Sequence, residues 1–215
     1  GGSLHPATQA LTETFNGSSW SEVGDLNKTR RLGYGLGTQN AALVAAGLTT
    51  TPSAGITAET EEWNGTAWYS MSNIASSRAF GAAAGTQNAG LAFGGSTNAS
   101  TANTVGQTET YDGTAWTERN DMIIARQSLG GGGTQNAALA HNGALSPGSN
   151  NSACTEEWNG TSWSTANVVP AAFRNADGAG SQAAGIVAGG EGSGYNDETY
   201  EYNVSSLKTV EIDGV

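Results

Sequence analysis

The sequence predicts an all-β fold built from one four-stranded unit repeated along the chain, and three observations predict it. A nine-residue motif begins at residues 12, 60, 108 and 155, so its copies are 48, 48 and 47 residues apart. A glycine-led tetrapeptide follows the end of each copy at one constant interval. Glycine accounts for 32 of the 215 residues, and only 13% of residues are charged. This composition is typical of neither a helical bundle nor a charged, disordered tail.

The nine-residue motif predicts the third and fourth strands of each unit. Its copies read TETFNGSSW, TEEWNGTAW, TETYDGTAW and TEEWNGTSW, and a degenerate copy, TYEYN, spans Thr199 to Asn203. The central Asn-Gly pair, such as Asn64–Gly65, is a strong hairpin signal that predicts a type I′ turn with positive φ at both residues. Each copy therefore predicts one hairpin.

The second motif predicts the first and second strands. In AFGAAAGTQNAGLAFGG, from Ala79 to Gly95, two runs of small residues flank the polar TQN sequence, which indicates a tight hairpin. The tetrapeptide GTQN begins here at Gly85, and its counterparts in the other repeats begin at Gly37, Gly133 and Gly180. Two hairpins per repeat make a unit of four antiparallel strands.

The repeat resembles the kelch repeat, whose period is about 50 residues. The resemblance rests on a glycine doublet that ends the second strand, intact at Gly94–Gly95 and Gly189–Gly190 and degraded at Ala46–Gly47 and Asn142–Gly143. It also rests on an aromatic in the third strand: Phe15, Trp63, Tyr111, Trp158 and Tyr202. A tryptophan in the fourth strand completes it: Trp20, Trp68, Trp116 and Trp163. The resemblance implies a kelch-like β-propeller.

We expect a single propeller domain over residues 1–215 with about five blades, four complete and one partial. The expected blades span roughly 1–22 (partial), 28–70, 76–118, 124–165 and 172–212. Gly1 and Gly2 look like a doublet, so the first blade begins in its middle. Its two inner strands then lie outside these residues or come from another segment. Six blades remain an open alternative.

Charge and cysteine content exclude several function classes. With 8 basic and 19 acidic residues, the net charge is −11, which disfavours nucleic acid and anionic membrane as partners. No apolar run is as long as a membrane-spanning helix requires, so we expect no membrane insertion. The single cysteine, Cys154, excludes an intramolecular disulfide and a multi-cysteine metal site.

Most recurring side chains suit a structural role. The six tryptophans (Trp20, Trp63, Trp68, Trp116, Trp158 and Trp163) all lie on the repeated motif, where they would fill the wedge between blades rather than stack on sugars. Acidic residues recur at Glu13, Glu61, Glu109 and Glu156, and arginines at Arg30, Arg78 and Arg126. We expect these charges to form ion pairs from blade to blade.

The polar turns are the candidate ligand-binding residues. They should emerge together on one face near the axis, where a ring of amides can bond a glycan, a peptide or a small polar ligand. Turn chemistry alone also favours Asn and Gly at such positions. The candidates are Gln39, Asn40, Gln87, Asn88, Gln135, Asn136 and Gln182.

We expect no catalytic residue, metal or cofactor. Galactose oxidase, an enzyme with kelch repeats, binds copper through two His and two Tyr, one of them crosslinked to Cys. Here His5 lies in the partial blade, His141 in an inner hairpin, and Cys154 has no identifiable tyrosine partner. The sequence therefore disfavours a copper oxidase.

The style of these Gly-, Ala-, Thr- and Asn-rich blades resembles propellers in virion and tail proteins of bacteriophages and in bacterial surface proteins. The resemblance implies a non-enzymatic structural or adhesive module, virion-borne or extracellular, that binds neighbouring subunits and a host-surface glycan or protein. The alternatives are a secreted carbohydrate-binding lectin and a glycan-processing enzyme. An enzyme would use the acids of the divergent last blade: Asp177, Glu191, Asp197 and Glu198.

Overall fold

The computed structural model describes residues 2–4, 7–49, 55–99, 103–145, 150–195, 197–203 and 208–210. The regular secondary structure of this part of the chain consists of β-strands, which form four sheets of four antiparallel strands and three two-stranded hairpins. This arrangement confirms the predicted all-β class. His5, one of the two histidines considered for a metal site, lies outside the described residues.

The strands group into one partial and four complete blades. The partial blade contains β1 (Gly2–Leu4), β2 (Ala7–Gln9), β3 (Glu13–Phe15) and β4 (Trp20–Glu22). Blade 1 contains β5 (Tyr34–Thr38), β6 (Ala41–Ala45), β9 (Thr60–Trp63) and β10 (Trp68–Met71), with a small hairpin of β7 (Leu48–Thr49) and β8 (Gly55–Ile56) between its second and third strands. Blade 2 contains β11 (Ala82–Thr86), β12 (Ala89–Phe93), β13 (Thr108–Tyr111) and β14 (Trp116–Arg119).

The last two blades repeat this order. Blade 3 contains β15 (Gly130–Thr134), β16 (Ala137–His141), β17 (Thr155–Trp158) and β18 (Trp163–Ala166). Blade 4 contains β19 (Asp177–Ser181), β20 (Ala184–Ala188), β21 (Thr199–Asn203) and β22 (Lys208–Val210). In each blade the four strands pair in sequence order, so the first strand is innermost and the fourth is outermost.

The blades stand side by side around an axis. The innermost strands β5, β11, β15 and β19 lie next to one another in sequence order. Their small residues allow this approach: a Cβ built on Gly81 would lie 2.1 Å from the ring of Tyr34 in the preceding blade. The molecule is therefore a β-propeller of four complete blades with a partial fifth.

Gly2 of the partial blade is bonded to the connection that leads into blade 1. The amide of Gly2 donates to the carbonyl of Arg30 at 3.0 Å, as Gly47 does to Arg78 and Gly95 to Arg126, each at a distance of 2.8–2.9 Å. Gly2 therefore holds the second position of a glycine doublet.

The predicted type I′ turn is wrong. Trp63 pairs with Trp68, so the hairpin loop has four residues, and positive φ occurs at Gly65 but not at Asn64. The Asn64 carboxamide oxygen instead accepts hydrogen bonds from the amides of Thr66 and Ala67, at 2.9 and 3.0 Å. Asn therefore stabilises the loop through its side chain, an Asx turn, rather than through a left-handed backbone.

The recurring charges form three buried ion pairs. Arg30, Arg78 and Arg126 contact Glu61, Glu109 and Glu156 at 2.5, 3.1 and 2.9 Å, with both partners almost fully buried. Each arginine lies on the connection between two blades. Its backbone carbonyl accepts a bond from the preceding blade, and its side chain enters the following one. The predicted ion pairs are present, but each joins a connection to the blade that follows it rather than one blade to the next, and Glu13 of the partial blade is exposed.

Blade 4 replaces the ion pair with two aromatic rings. Phe173 follows Trp163 by ten residues, as Arg126 follows Trp116, and Tyr200 holds the position of Glu156. The two rings are stacked, with centroids 6.0 Å apart and planes inclined by 17°. An apolar contact thus joins the last connection to its blade.

Candidate functional site

The propeller has two ends that differ in chemistry. Loops between the first and second strands and between the third and fourth strands share one end, which we call the turn face. Gly113 of one loop lies against Asn88 of the other, for example. The opposite end, the connection face, carries the segments that join successive blades.

The predicted glutamines lie on the turn face, and three of them bond the neighbouring blade. The Nε2 of Gln87 donates to the carbonyls of Ala42 and Trp63 at 3.0 and 2.7 Å. Gln135 and Gln182 make the same pair of bonds to the blades that precede them. These amide groups hold adjacent blades together, whereas Gln39, Asn40, Asn88 and Asn136 are exposed. Ligand binding by this face stays a prediction.

Five of the six tryptophans are buried or bonded to the preceding blade. Trp63 and Trp158 are buried, and the indole N–H groups of Trp68, Trp116 and Trp163 donate to Thr12, Thr60 and Thr108 of the preceding blade at 2.9–3.0 Å. Trp20 is the exception: it is 66% exposed, against 6% for Trp163.

A ring of left-handed residues surrounds the axis on the connection face. Leu32, Phe80, Ser128 and Asn175 each follow a fourth-strand tryptophan at the same interval along the sequence, and their φ angles are 51–64°. Their backbones are linked in sequence, because the amides of Phe80, Ser128 and Asn175 each donate to the carbonyl of the preceding member at 3.2, 2.6 and 2.8 Å. Non-glycine residues adopt this conformation at a cost of about 1–3 kcal/mol, and such strain concentrates at functional sites.

These residues line an axial mouth with a cavity of about 540 Å³. This volume lies in the range of small-ligand pockets. Leu32 and Phe80 make one side apolar, whereas Ser128, Asn175 and Asp177 make the other side polar. A second cavity of about 280 Å³ is lined by Gly- and Ala-rich starts of the inner strands, which bring backbone polar groups to its wall. The mouth thus combines an aromatic ring with convergent polar groups.

The acids of the last blade have different surroundings. Asp177 is exposed at the axial mouth. Glu191 accepts bonds from Arg174 at 3.1 Å and Asn175 at 3.3 Å, and Arg174 holds the pKa of Glu191 below its usual value. Glu198 accepts a bond from the hydroxyl of Tyr200, and Asp197 is exposed.

His141 is buried in the wall between blades 3 and 4. Its ring lies against Gly130 and Gly178, and its Nδ1 is 3.2 Å from the side-chain oxygen of Asn142. Burial lowers the pKa of His141 to about 4, so the ring is neutral at pH 7. Among the described residues, no group of three or more His, Cys, Asp and Glu side chains is arranged to hold a metal ion.

Sequence reasoning missed the axial mouth. The four ring positions hold Leu, Phe, Ser and Asn, so they share no residue type that a motif search would detect. The available signal was their constant spacing from the preceding tryptophan, combined with the variation of the side chain. At such a variable position, each blade presents a different side chain and so makes different contacts.

Comparison with known proteins supports the fold alone. No family model matches the chain, and no curated protein matches it. Solved structures do match, among them the structure of YjhT, with a TM-score of 0.78 and 10% sequence identity. The match covers 94% of this chain and 75% of that one. In the described part of the chain, no helix is long and apolar enough to cross a membrane. The chain is similar to a solved propeller-like structure, and its own fold is a β-propeller.

Proposed function

We propose that the chain is a non-enzymatic binding module of a virion or extracellular assembly, and that its axial mouth binds a glycan or a protein segment. The observation that carries the proposal is the ring of Leu32, Phe80, Ser128 and Asn175, where one strained backbone geometry presents four different side chains. A scaffold that repeats its core and varies its axial surface is suited to recognition.

The chemistry of the mouth favours a sugar. A pyranose has an apolar C–H face, which can lie on Phe80, and hydroxyl groups, which can bond Ser128, Asn175 and Asp177. Asp177 accepts hydrogen bonds only, whereas the serine hydroxyl both donates and accepts, so a hydroxyl-rich ligand suits the polar side better than an anion. The net charge of −11 further disfavours anionic ligands.

The rim of the propeller supports contacts with neighbouring subunits. Tyr69 on the outer strand β10 and the connection residues Ile123 and Val168 are exposed. Exposed large apolar side chains lose contact with water when a partner covers them, and aromatic residues are enriched at interfaces. In an assembly, the rim would contact other subunits while the axial mouth stays accessible.

A glycan array tests the proposal. We expect the chain to bind a subset of neutral glycans without turnover, and Phe80→Ala and Asp177→Asn to weaken this binding at least ~10-fold. Tyr69→Ala is the matched control, because it removes an exposed aromatic far from the axis. Binding that survives both mouth variants, or cleavage of a bound glycan, would contradict the proposal.

Native mass separates the leading function from a secreted lectin. An assembly module should appear by light scattering as a complex with its neighbouring subunits in material taken from its source. A monomer that binds sugar would instead identify the lectin.

A further inference from the structure

Tyr195 is the most exposed of the large hydrophobic side chains in the described part of the chain. It is 98% exposed, whereas the next, Trp20, is 66% exposed. Tyr195 lies in a short turn between the second and third strands of blade 4, residues 191–195, which we call the blade 4 hairpin. The corresponding connections of blades 1–3 (residues 46–59, 94–107 and 142–154) contain no aromatic residue. Packing within the repeat therefore does not account for Tyr195.

A cavity of about 230 Å³ lies beside Tyr195. Residues 171–173 line one side of it, and the blade 4 hairpin lines the other. The hairpin leaves room there, since a Cβ built on Gly194 would meet no atom within 4 Å. The exposed side chains of Ser193 and Glu198 also line the cavity. An aromatic ring, a hydroxyl and a carboxylate thus converge on it, the same three groups that line the axial mouth.

The blade 4 hairpin is fixed to the connection that forms part of the axial mouth. The backbones of Arg174 and Glu191 exchange two hydrogen bonds, at 3.0 and 2.8 Å. The Glu191 carboxylate accepts bonds from Arg174 and from Asn175, a member of the axial ring, at 3.1 and 3.3 Å. Asn151 of blade 3 donates to the Glu191 carbonyl at 3.0 Å. These bonds hold the cavity and the mouth in one arrangement on the connection face.

The cavity and the axial mouth are close together but separate. They have no lining residue in common. Ala172 lines the cavity and Asn175 lines the mouth, and because the two are three residues apart, their Cα atoms lie within about 11 Å of each other. One sugar ring can therefore occupy the cavity or the mouth, whereas a chain of two or more rings can occupy both.

We propose that the cavity beside Tyr195 is a second sugar subsite, and that the chain binds a neutral oligosaccharide that extends from the axial mouth over blade 4. This subsite rests on the proposed function of the mouth and names its ligand class. The apolar face of the second sugar lies on Tyr195, and its hydroxyl groups bond Ser193 and Glu198. Residues 172–198 contain one arginine and four acids, a net charge of −3, so they repel an anionic saccharide.

Titration calorimetry of Tyr195→Ala tests the subsite. The probes are the neutral oligosaccharide that binds most tightly on the array and each of its constituent monosaccharides. We expect Tyr195→Ala to weaken binding of the oligosaccharide about 10-fold and to leave monosaccharide binding unchanged, because only the longer probe reaches the ring. Tyr195→Phe keeps the ring and should retain the affinity. Tyr69→Ala is the matched control, since it removes another exposed tyrosine, on the outer strand β10.

The same titration of Phe80→Ala separates the subsite from the proposed function. If Phe80→Ala weakens the oligosaccharide while Tyr195→Ala does not, the mouth binds the glycan and the second subsite is wrong. Equal losses of oligosaccharide and monosaccharide affinity in Tyr195→Ala would also overturn the subsite, because both probes would then share one site. If no glycan binds, or neither variant weakens the oligosaccharide, the proposed function fails and the subsite fails with it.

Discussion

At the residue scale, each buried arginine joins two blades, through its backbone carbonyl to the preceding blade and through its side chain to the following one. Arg126 donates to the carbonyls of Asn142 and Cys154 and to the Glu156 carboxylate, so it satisfies groups that would otherwise be buried without partners. Burial lowers the pKa of Arg126 and Glu156 opposes this shift. Blade 4 joins the same elements with Phe173 and Tyr200, so the fold needs the contact but not the charge.

Both members of the ion pair can therefore be replaced together, whereas the loss of one member alone should destabilise the fold. Arg126→Met should lower the free energy of unfolding by about 3–5 kcal/mol, because it leaves Glu156 buried without a counterion. The double variant Arg126→Phe with Glu156→Tyr copies blade 4 and should recover most of this loss. Urea denaturation measures both. Arg174→Met, at a half-exposed pair, is the control and should cost about 1 kcal/mol or less. A double variant no more stable than the single one would contradict the exchange.

His141 makes stability depend on pH. Its pKa is lowered to about 4 in the folded chain from a usual value of 6.5, because burial and Arg126 disfavour the charged ring, while Asn142 and Asp177 favour it. The contribution is complete above pH 6.5 and is lost as pH falls through 4, by up to about 3 kcal/mol. His141→Phe, which copies Phe93 of blade 2, should flatten this part of the stability profile. An unchanged profile would show that other groups cause it.

Backbone strain at the axial ring predicts a gain in stability on substitution with glycine. Ser128 has a φ of 51°, and its bonds to Phe80 and Asn175 use the backbone only. Ser128→Gly should raise the free energy of unfolding by about 1 kcal/mol, since glycine adopts this conformation without a Cβ penalty. Ser70→Gly, in the exposed strand β10, should instead lower it by about 0.5–1 kcal/mol. A loss at Ser128 would show that the residue is not strained.

At the scale of elements, the periodicity of the sequence predicted the strands. It did not predict the type of the hairpin loop or the hydrogen bonds between blades. Two motifs in constant phase located both hairpins of every blade, because turn residues and strand patterns are local. The turn type at Asn64 was wrong because loop length follows from the pairing of Trp63 with Trp68, which the motif does not encode. The role of Gln87 was also missed, since its acceptors lie in a different blade.

Hydrogen bonds between blades provide a matched pair of threonines. Thr108 accepts a bond from Trp163 of the next blade at 2.9 Å, whereas the buried hydroxyl of Thr155 has no bonding partner among the described residues. Blade 4 has no tryptophan to supply it. Thr108→Val should cost about 1–3 kcal/mol, because the indole N–H loses its acceptor.

The same substitution at Thr155 should be neutral or stabilising. Calorimetric or urea unfolding compares the two variants, of which Thr108→Val also removes a hydroxyl bond to the carbonyl of Gly106 at 3.3 Å. Equal costs at both positions would show that the indole bond contributes little to blade packing.

At the scale of the whole molecule, the fold could be predicted and the axial mouth could not. The turn face is predicted to bind a ligand because its amides recur, and this stays a prediction. Three of these amides, Gln87, Gln135 and Gln182, hold blades together. The axial mouth forms only when four connections meet, and its side chains have nothing in common in the sequence. The residues that recur in every repeat thus identify the core of a repeat protein. Its distinguishing surface is formed by residues that vary from one repeat to the next.

Isothermal titration calorimetry with the glycan that binds most tightly on the array would compare the contributions of the axial mouth and the turn face to ligand affinity. The account predicts that Phe80→Ala at the axial mouth weakens binding at least ~10-fold, whereas a triple variant of the turn face, Asn40→Ala, Asn88→Ala and Asn136→Ala, leaves affinity unchanged. Loss of binding in the triple variant, with full affinity in Phe80→Ala, would place the ligand on the turn face and contradict the assignment of the axial mouth.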